Sequence, residues 1–338
     1  MRRTHRNWVL VSLLIVASAI TIGLTLAQTV QPLEPGDRSA SSSAAQEPLV
    51  SIAENGIRYV VHPGKLVDCG PPKDGIPSID DPSFVSVEAA DAWIADDELI
   101  VTLSYEGETR AYPLQVLVWH EIVNDVIAGA PILVSYCPLC GSGMAYVREI
   151  DGAPVAFGTS GKLYNSNLVM YDRATGTYWT QMDGLAIVGE RSGDHLEVLP
   201  MDTAVWGTWK DSNASALVLS KETGHDRPYG HEPYGNYNKD SYIWFPVENR
   251  DNRTHPKTPI IGIEINGASN AYPVESIEAR GFIEDRVGGM RIRIEQDVDG
   301  RIRVICPATG EHFPSQRSFW FAWVAFHPNT EIFLDPSS

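Results

Sequence analysis

The chain has 338 residues, with 26 basic against 43 acidic side chains and a formal charge of −17. That balance argues against nucleic acid or anionic lipid as a partner, and the length provides for one large domain or two intimate ones with a full core. Gly (28) and Pro (23) are frequent and most apolar runs are short, so a β-rich α+β fold with few helices is expected.

Arg2, Arg3 and Arg6 precede an uncharged, mostly apolar run from Trp8 to Ala27. Residues 1–28 therefore read either as a cleaved signal peptide, with a small residue at Ala27, or as an uncleaved transmembrane anchor. Both readings export the remainder to a periplasmic or extracellular compartment, and they leave the N-terminal segment as the sole membrane contact. None of the acidic residues lies before Ala27, so the exported part carries about −20. Residues 29–48, rich in Gln and Pro and then in Ser and Ala, have the composition of a disordered linker. The domain is expected over 49–335.

Val101, Leu103 and Tyr105 alternate with polar neighbours as in a half-buried strand, and Glu106-Gly107 is a turn. A short helix is predicted from Pro113 through His120, then a turn from Asn124-Asp125 to Gly129, then an apolar strand Pro131 to Tyr136 that delivers Cys137 at its end. Residues 152–193 carry Gly, Asn and Asp turn signals between short strands, Ala216 to Ser220 reads as a strand, and 224–242 as an aromatic loop. The plan then recurs at an offset of 160: Ile260 to Ile265, Pro273 to Arg280 and Met290 to Glu295, with Asp299-Gly300 joining two alternating strands as a hairpin. Phe319 to Phe326 is too aromatic to face water. Two pseudo-repeated β-β-α-β units, about 100–134 and 260–294, with a β-rich insertion between them, are thus expected in a single large domain.

The paired segments share apolar, Gly and Pro positions, such as Ala111-Tyr112-Pro113 with Ala271-Tyr272-Pro273, but not polar ones. His120 faces Arg280, Glu121 faces Gly281, and Cys137 faces Asp297. Chemistry is therefore sought in the first copy, at the CxxC motif Cys137-Pro138-Leu139-Cys140-Gly141-Ser142-Gly143. Two cysteines at this spacing can meet one metal or each other, so a metal site, a redox-active dithiol and an inert disulfide all remain open. A second Cys-x-x-Cys is lacking for a four-thiolate zinc knuckle, and no convincing helix begins at the pair as in a thioredoxin-type turn. His120 is a candidate third ligand; with two soft sulfurs it would suit a Zn or Cu ion. His120-Glu121 does not continue into a His-Glu-x-x-His helix, because position 124 is Asn. The other cysteines, Cys69 and Cys306, allow three pairings with these two if all are bonded.

Thr159-Ser160-Gly161-Lys162-Leu163-Tyr164-Asn165-Ser166-Asn167 is dense in hydroxyls and amides. Its Ser160-x-Lys162 spacing is one short of the Ser-x-x-Lys of penicillin-binding enzymes, which leaves no complete nucleophile and base. Glu121, Ser142, Tyr164, Asn165, Ser166, Asp172 and Gln181 are candidates for an outer shell or ligand pocket, with Asp172, Arg173 and Gln181 as one buried polar network. Tyr229, His231, Tyr234, Tyr237 and Trp244 are candidates to line a groove.

Taken together, Ala111-Tyr112-Pro113, His120 to Asp125, Tyr136 to Gly141, Leu163 to Ser166, Leu168 to Arg173, Gly70 to Pro77 and Trp323 to Pro328 resemble the domain-of-unknown-function family 3179 over roughly residues 50–335. The resemblance implies an exported bacterial or archaeal protein and no particular activity. It carries Cys137, Cys140, His120, Tyr164 and Asn165 over as motif positions, and leaves Cys69 and Cys306 outside the motifs. Two functions are expected from the residues: a metal-binding or thiol-redox protein centred on Cys137 and Cys140, or a non-catalytic envelope binding module with a structural disulfide and an aromatic groove for a glycan, peptide or other small-molecule partner.

Overall fold

Turns with two consecutive left-handed residues organise the chain. Glu106-Gly107 (φ +47° and +83°) and Asn266-Gly267 (φ +51° and +76°) each close a tight hairpin, because this backbone matches the twist of paired strands. The computed structural model describes residues 48–334; the signal or anchor segment and all but the last residue of the linker lie outside them. No helix among the described residues is long and apolar enough to cross a membrane. The described chain is one β-rich domain of several sheets with few, short helices.

Strands Leu99–Tyr105 and Glu108–Pro113 pair from Ile100↔Pro113 to Tyr105↔Glu108. The helix Leu114–Leu117 follows, and the strands Ile122–Ile127 and Ala130–Cys137 pair from Ile122↔Ser135 to Ile127↔Ala130. Further along, Pro259–Ile265 and Ala268–Pro273 pair from Ile260↔Pro273 to Ile265↔Ala268. Helix Val274–Arg280 leads to Phe282–Val287, which pairs with Met290–Gln296. A tyrosine–aspartate hydrogen bond ties the second strand to the third in both places: Tyr112 to Asp125 at 2.6 Å and Tyr272 to Asp285 at 2.7 Å. Each keeps a phenol and a carboxylate satisfied within the fold, where a buried polar group without a partner would cost about 2–7 kcal/mol.

Two local expectations need correction. Pro113 ends a strand, and the helix after it stops at Leu117, short of His120. Asn124 and Asp125 lie within a strand, and the turn is Ala128-Gly129 (φ +48° and +84°). These turn-prone side chains act as internal braces instead. Asn124 donates to Asp80 and to the carbonyl of Phe157 and accepts from the Phe157 N–H. Asp125 accepts from Tyr112 and Arg110.

Four strands between residues 157 and 188 join Ser51–Ile52, Arg58–Tyr59 and Val67–Asp68 in a seven-stranded sheet around Phe157–Tyr164 and Asn167–Asp172, whose tight turn is Asn165-Ser166 (φ +52° and +62°). A bulge between Thr159 and Lys162 breaks its register. The aromatic C-terminal stretch forms the helix Trp320–Phe326, with Trp320, Phe321 and Trp323 buried. The largest core cluster unites Ile122, Leu133, Phe157, Trp179 and Phe321, and contains Cys137 and Cys140.

Candidate functional site

Ala130–Cys137 pairs with Ser142–Val147 from Ile132↔Val147 to Cys137↔Ser142, so Pro138 to Gly141 form the hairpin loop between two central strands. The Cys140 N–H returns to the Cys137 carbonyl at 3.1 Å, which folds the loop and turns both sulfurs inward. Gly141 takes φ +58°, and a Cβ there would press on the Phe319 ring at 3.0 Å. The Phe319 N–H bonds to the Cys140 carbonyl at 2.7 Å, which pins the loop from outside.

Both thiols are buried, Cys137 at 1% and Cys140 at 0% exposure. Burial first, then the neighbouring Cys140 and Glu121, push the Cys137 thiol well above the ordinary thiol range. The Cys140 sulfur receives the Asn167 amide, 3.5 Å away, and the Leu168 backbone works against the rise at Cys137. Cys140 in turn donates to the Ser166 carbonyl at 3.4 Å. The amide of Asn167 is fixed by Gln181 (2.8 Å) and the Met182 N–H (3.1 Å), and Gln181 accepts from Ser142 at 3.0 Å. Ser142, Ser166 and Gln181 therefore do surround the cysteine pair.

Glu121 is the other buried ionisable group here. Its backbone is left-handed at φ +58° and is held by Glu121 N–H to the Leu117 carbonyl and by the Tyr136 N–H to its own carbonyl, both 2.7 Å. Burial raises its carboxyl to about 8, against a hydrogen bond from Tyr234 that works the other way. The side chain shares a cavity of about 170 Å³ with Cys69, Leu139, Gly161, Tyr234 and Trp244. Cys69 is half-buried, its thiol lifted to about 11 by burial first, then by Glu121 and Cys137. It is placed there by the bulge, where the Cys69 N–H bonds to the Gly161 carbonyl at 3.0 Å. Sequence reasoning left Cys69 outside the motifs and gave Asn167 no role; neither has a local signal, since each acts across a long chain separation.

His120 is occupied elsewhere. One ring nitrogen meets the Pro77 carbonyl and the other the Tyr229 hydroxyl, both at 2.7 Å, and the ring packs beside His225. Burial lowers its pKa to about 4, so it is neutral at physiological pH. Among the described residues no three His, Cys, Asp or Glu side chains converge to hold a metal ion. The structural disulfide considered from sequence is not formed: all four cysteines are free thiols, and Cys306 lies in a separate turn closed by the Cys306 N–H to the Glu311 carbonyl. Tyr164 bonds to Glu248, and Asn165 to the Ala325 carbonyl and Glu248 N–H, so both face the loop and helix outside the thiols. Asp172, Arg173 and Gln181 belong to three separate sets. Asp172 takes Thr175 and Trp179, Arg173 takes Asp80 and Ser78, and Gln181 serves the cysteine side. Of the aromatic residues, Tyr234 and Trp244 line the small cavity, while Tyr229 is spent on His120 and Thr223.

A family model described as a protein of unknown function (DUF3179) matches residues 73–311. No curated protein and no solved structure matches the chain.

Proposed function

The chain belongs to the DUF3179 family, and from that footing we propose that it is an exported thiol-redox protein whose working couple is the Cys137–Cys140 dithiol and its disulfide. The observation that carries the reading is two buried cysteines folded into one hairpin loop by the Cys140 N–H to the Cys137 carbonyl, with the Asn167 amide on the Cys140 sulfur and the buried Glu121 in the neighbouring cavity. We also read the two strand-and-helix units as a duplicated scaffold whose first copy alone acquired this chemistry, since Glu121 and Cys137 stand where the second has Gly281 and Asp297.

The chemistry is a two-electron exchange with an organic disulfide that reaches the pair through the cavity lined by Cys69 and Glu121. Cys137 loses its proton to the Glu121 carboxylate and attacks one sulfur of the incoming disulfide. That step expels one thiol and leaves a mixed disulfide on Cys137. Cys140 then gives up its proton and attacks Cys137, forming the internal disulfide and expelling the second thiol. Two protein thiols are oxidised, one external disulfide is reduced to two thiols, and protons balance. The Asn167 amide lowers the cost of the Cys140 thiolate, which burial otherwise opposes.

The test is to purify the protein anaerobically without chelator, measure metal content, and equilibrate it with glutathione mixtures of graded potential before alkylation and peptide mapping. The expected result is joint loss of Cys137 and Cys140 thiols with a linked peptide, while Cys306 stays free. A pair that stays reduced at every potential overturns the reading. Stoichiometric zinc or copper protecting both thiols overturns it in favour of a metal centre.

A further inference from the structure

A larger cavity of about 610 Å³ lies on the other side of the cysteine hairpin, with Pro138, Gly141 and Gly143 in its wall. Its volume lies in the range that encloses a small organic ligand. Arg317 also lines it, from the strand Gln316–Phe319, whose pairing Ile261↔Arg317 fixes its backbone.

Three other cations with little exposure have partners. Lys257 meets Asp240 at 2.9 Å and the Tyr242 carbonyl at 2.7 Å. Arg148 donates to the carbonyls of Asp125, Ile132 and Val155. Arg301 meets Asp299 at 2.6 Å. The half-buried Arg317 side chain makes no hydrogen bond or ion pair among the described residues; burial works against its charge, and the groups that act in its favour are Tyr136 and Glu278. A guanidinium stays charged in a protein, and leaving one desolvated without a counter-charge is costly.

We infer that the Arg317 cleft binds a small organic monocarboxylate with an aromatic or apolar body. The planar fork of Arg317 matches a carboxylate in two parallel hydrogen bonds, and Tyr136, on the same cleft wall, offers a hydroxyl beside it. Tyr234, Tyr237 and Phe319 supply an apolar surface for the rest of the ligand. Asp97, Glu98 and Glu232 in the wall outnumber Lys239 and the Asp240-paired Lys257 there, and with the acidic chain as a whole they favour one negative charge over several. This site stands independently of the thiol reading.

The test titrates the purified protein calorimetrically with benzoate and phenylacetate, with phenylacetamide as the uncharged counterpart and inorganic phosphate as the competing anion. Saturable one-to-one binding of the carboxylates is expected, about ten- to a hundredfold tighter than phenylacetamide and weakened to the same degree by Arg317→Met. Arg317→Lys is expected to retain part of the affinity, and Arg317→Met to unfold no more easily than the parent, because it surrenders no internal partner. The inference is overturned by any of four results: no saturable carboxylate binding, equal binding of phenylacetamide, preference for phosphate, or unchanged affinity in Arg317→Met.

Discussion

Glu121 and Gly281 share one local setting: each is the left-handed residue, at φ +58° and +76°, directly before the strand that returns from a short helix. At Gly281 that backbone serves as an ordinary helix end, closed by Gly281 N–H to the Ile277 carbonyl at 2.8 Å. At Glu121 a positive φ is carried by a residue with a side chain, at a cost of about 1–2 kcal/mol for an L-residue held there. A carboxyl kept where glycine would be relaxed, and directed to a cavity beside two thiols, points from strain to use.

The cost itself can be measured at the unstrained partner. A Cβ added at Gly281 would meet nothing within 4 Å, so Gly281→Ala isolates the backbone contribution. Chemical unfolding is expected to show a loss of about 1 kcal/mol. A neutral result would remove the argument that Glu121 is strained.

Glu121 also sets a pH dependence with a definite sign. Its carboxyl titrates near 8 when folded, against the model-peptide value of 4.5, so between those values the folded state holds a proton that the unfolded state has lost. Stability contributed by this group is present below 4.5 and falls as pH rises through 8. His120 has the opposite slope between its folded value of about 4 and 6.5, because there the unfolded state binds the extra proton. Above pH 6.5 the Glu121 slope stands alone of the two. Unfolding of the parent and of Glu121→Gln at pH 6.5 and 9 is expected to show the variant gaining about 2 kcal/mol on the parent between the two pH values. Parallel profiles would place the Glu121 pKa near normal and remove it as the proton acceptor.

Gly161 lines the small cavity with Cys69 and Glu121. It sits in the bulge at φ +73°, and a Cβ there would collide with the Pro71 carbonyl. Gly161→Ala should therefore push the Cys69–Pro72 segment off the sheet and break the Cys69 N–H to Gly161 bond. Loss of about 2–3 kcal/mol is expected, with faster alkylation of Cys69 by iodoacetamide. Slower or equal alkylation would mean that the segment is held by other contacts.

What could be read from the sequence was local. The strand delivering Cys137, the turn at Glu106-Gly107, the Asp299-Gly300 hairpin and the buried aromatic terminus follow from alternation, turn chemistry and composition. The approach of Cys69 to Gly161 and the bond from His120 to Tyr229 were not legible, because they join residues far apart in the chain and leave no periodic trace. Asn124 and Asp125 misled for a related reason: their side chains favour turns in isolation, but here distant partners occupy them. The sequence marked the cysteine pair but not its burial, which decides what chemistry it can do.

Asn167 separates a positioning role from a purely structural one. Its amide donates to Cys140 and Gln181 and its carbonyl accepts the Met182 N–H, all in the core. Asn167→Leu keeps similar volume while leaving the Met182 N–H without its acceptor, so a loss of about 2–4 kcal/mol is expected. That loss alone would follow from any buried network. Disulfide closure in a glutathione buffer is the readout that packing does not move: without its N–H donor the Cys140 thiolate is harder to form, and the second exchange step should slow about tenfold. Gln181→Leu, which removes the brace on Asn167 but not the donor to sulfur, should destabilise comparably and slow closure less. Equal slowing in both variants, or none in either, would reduce Asn167 to a packing residue and leave Cys140 without an activating donor.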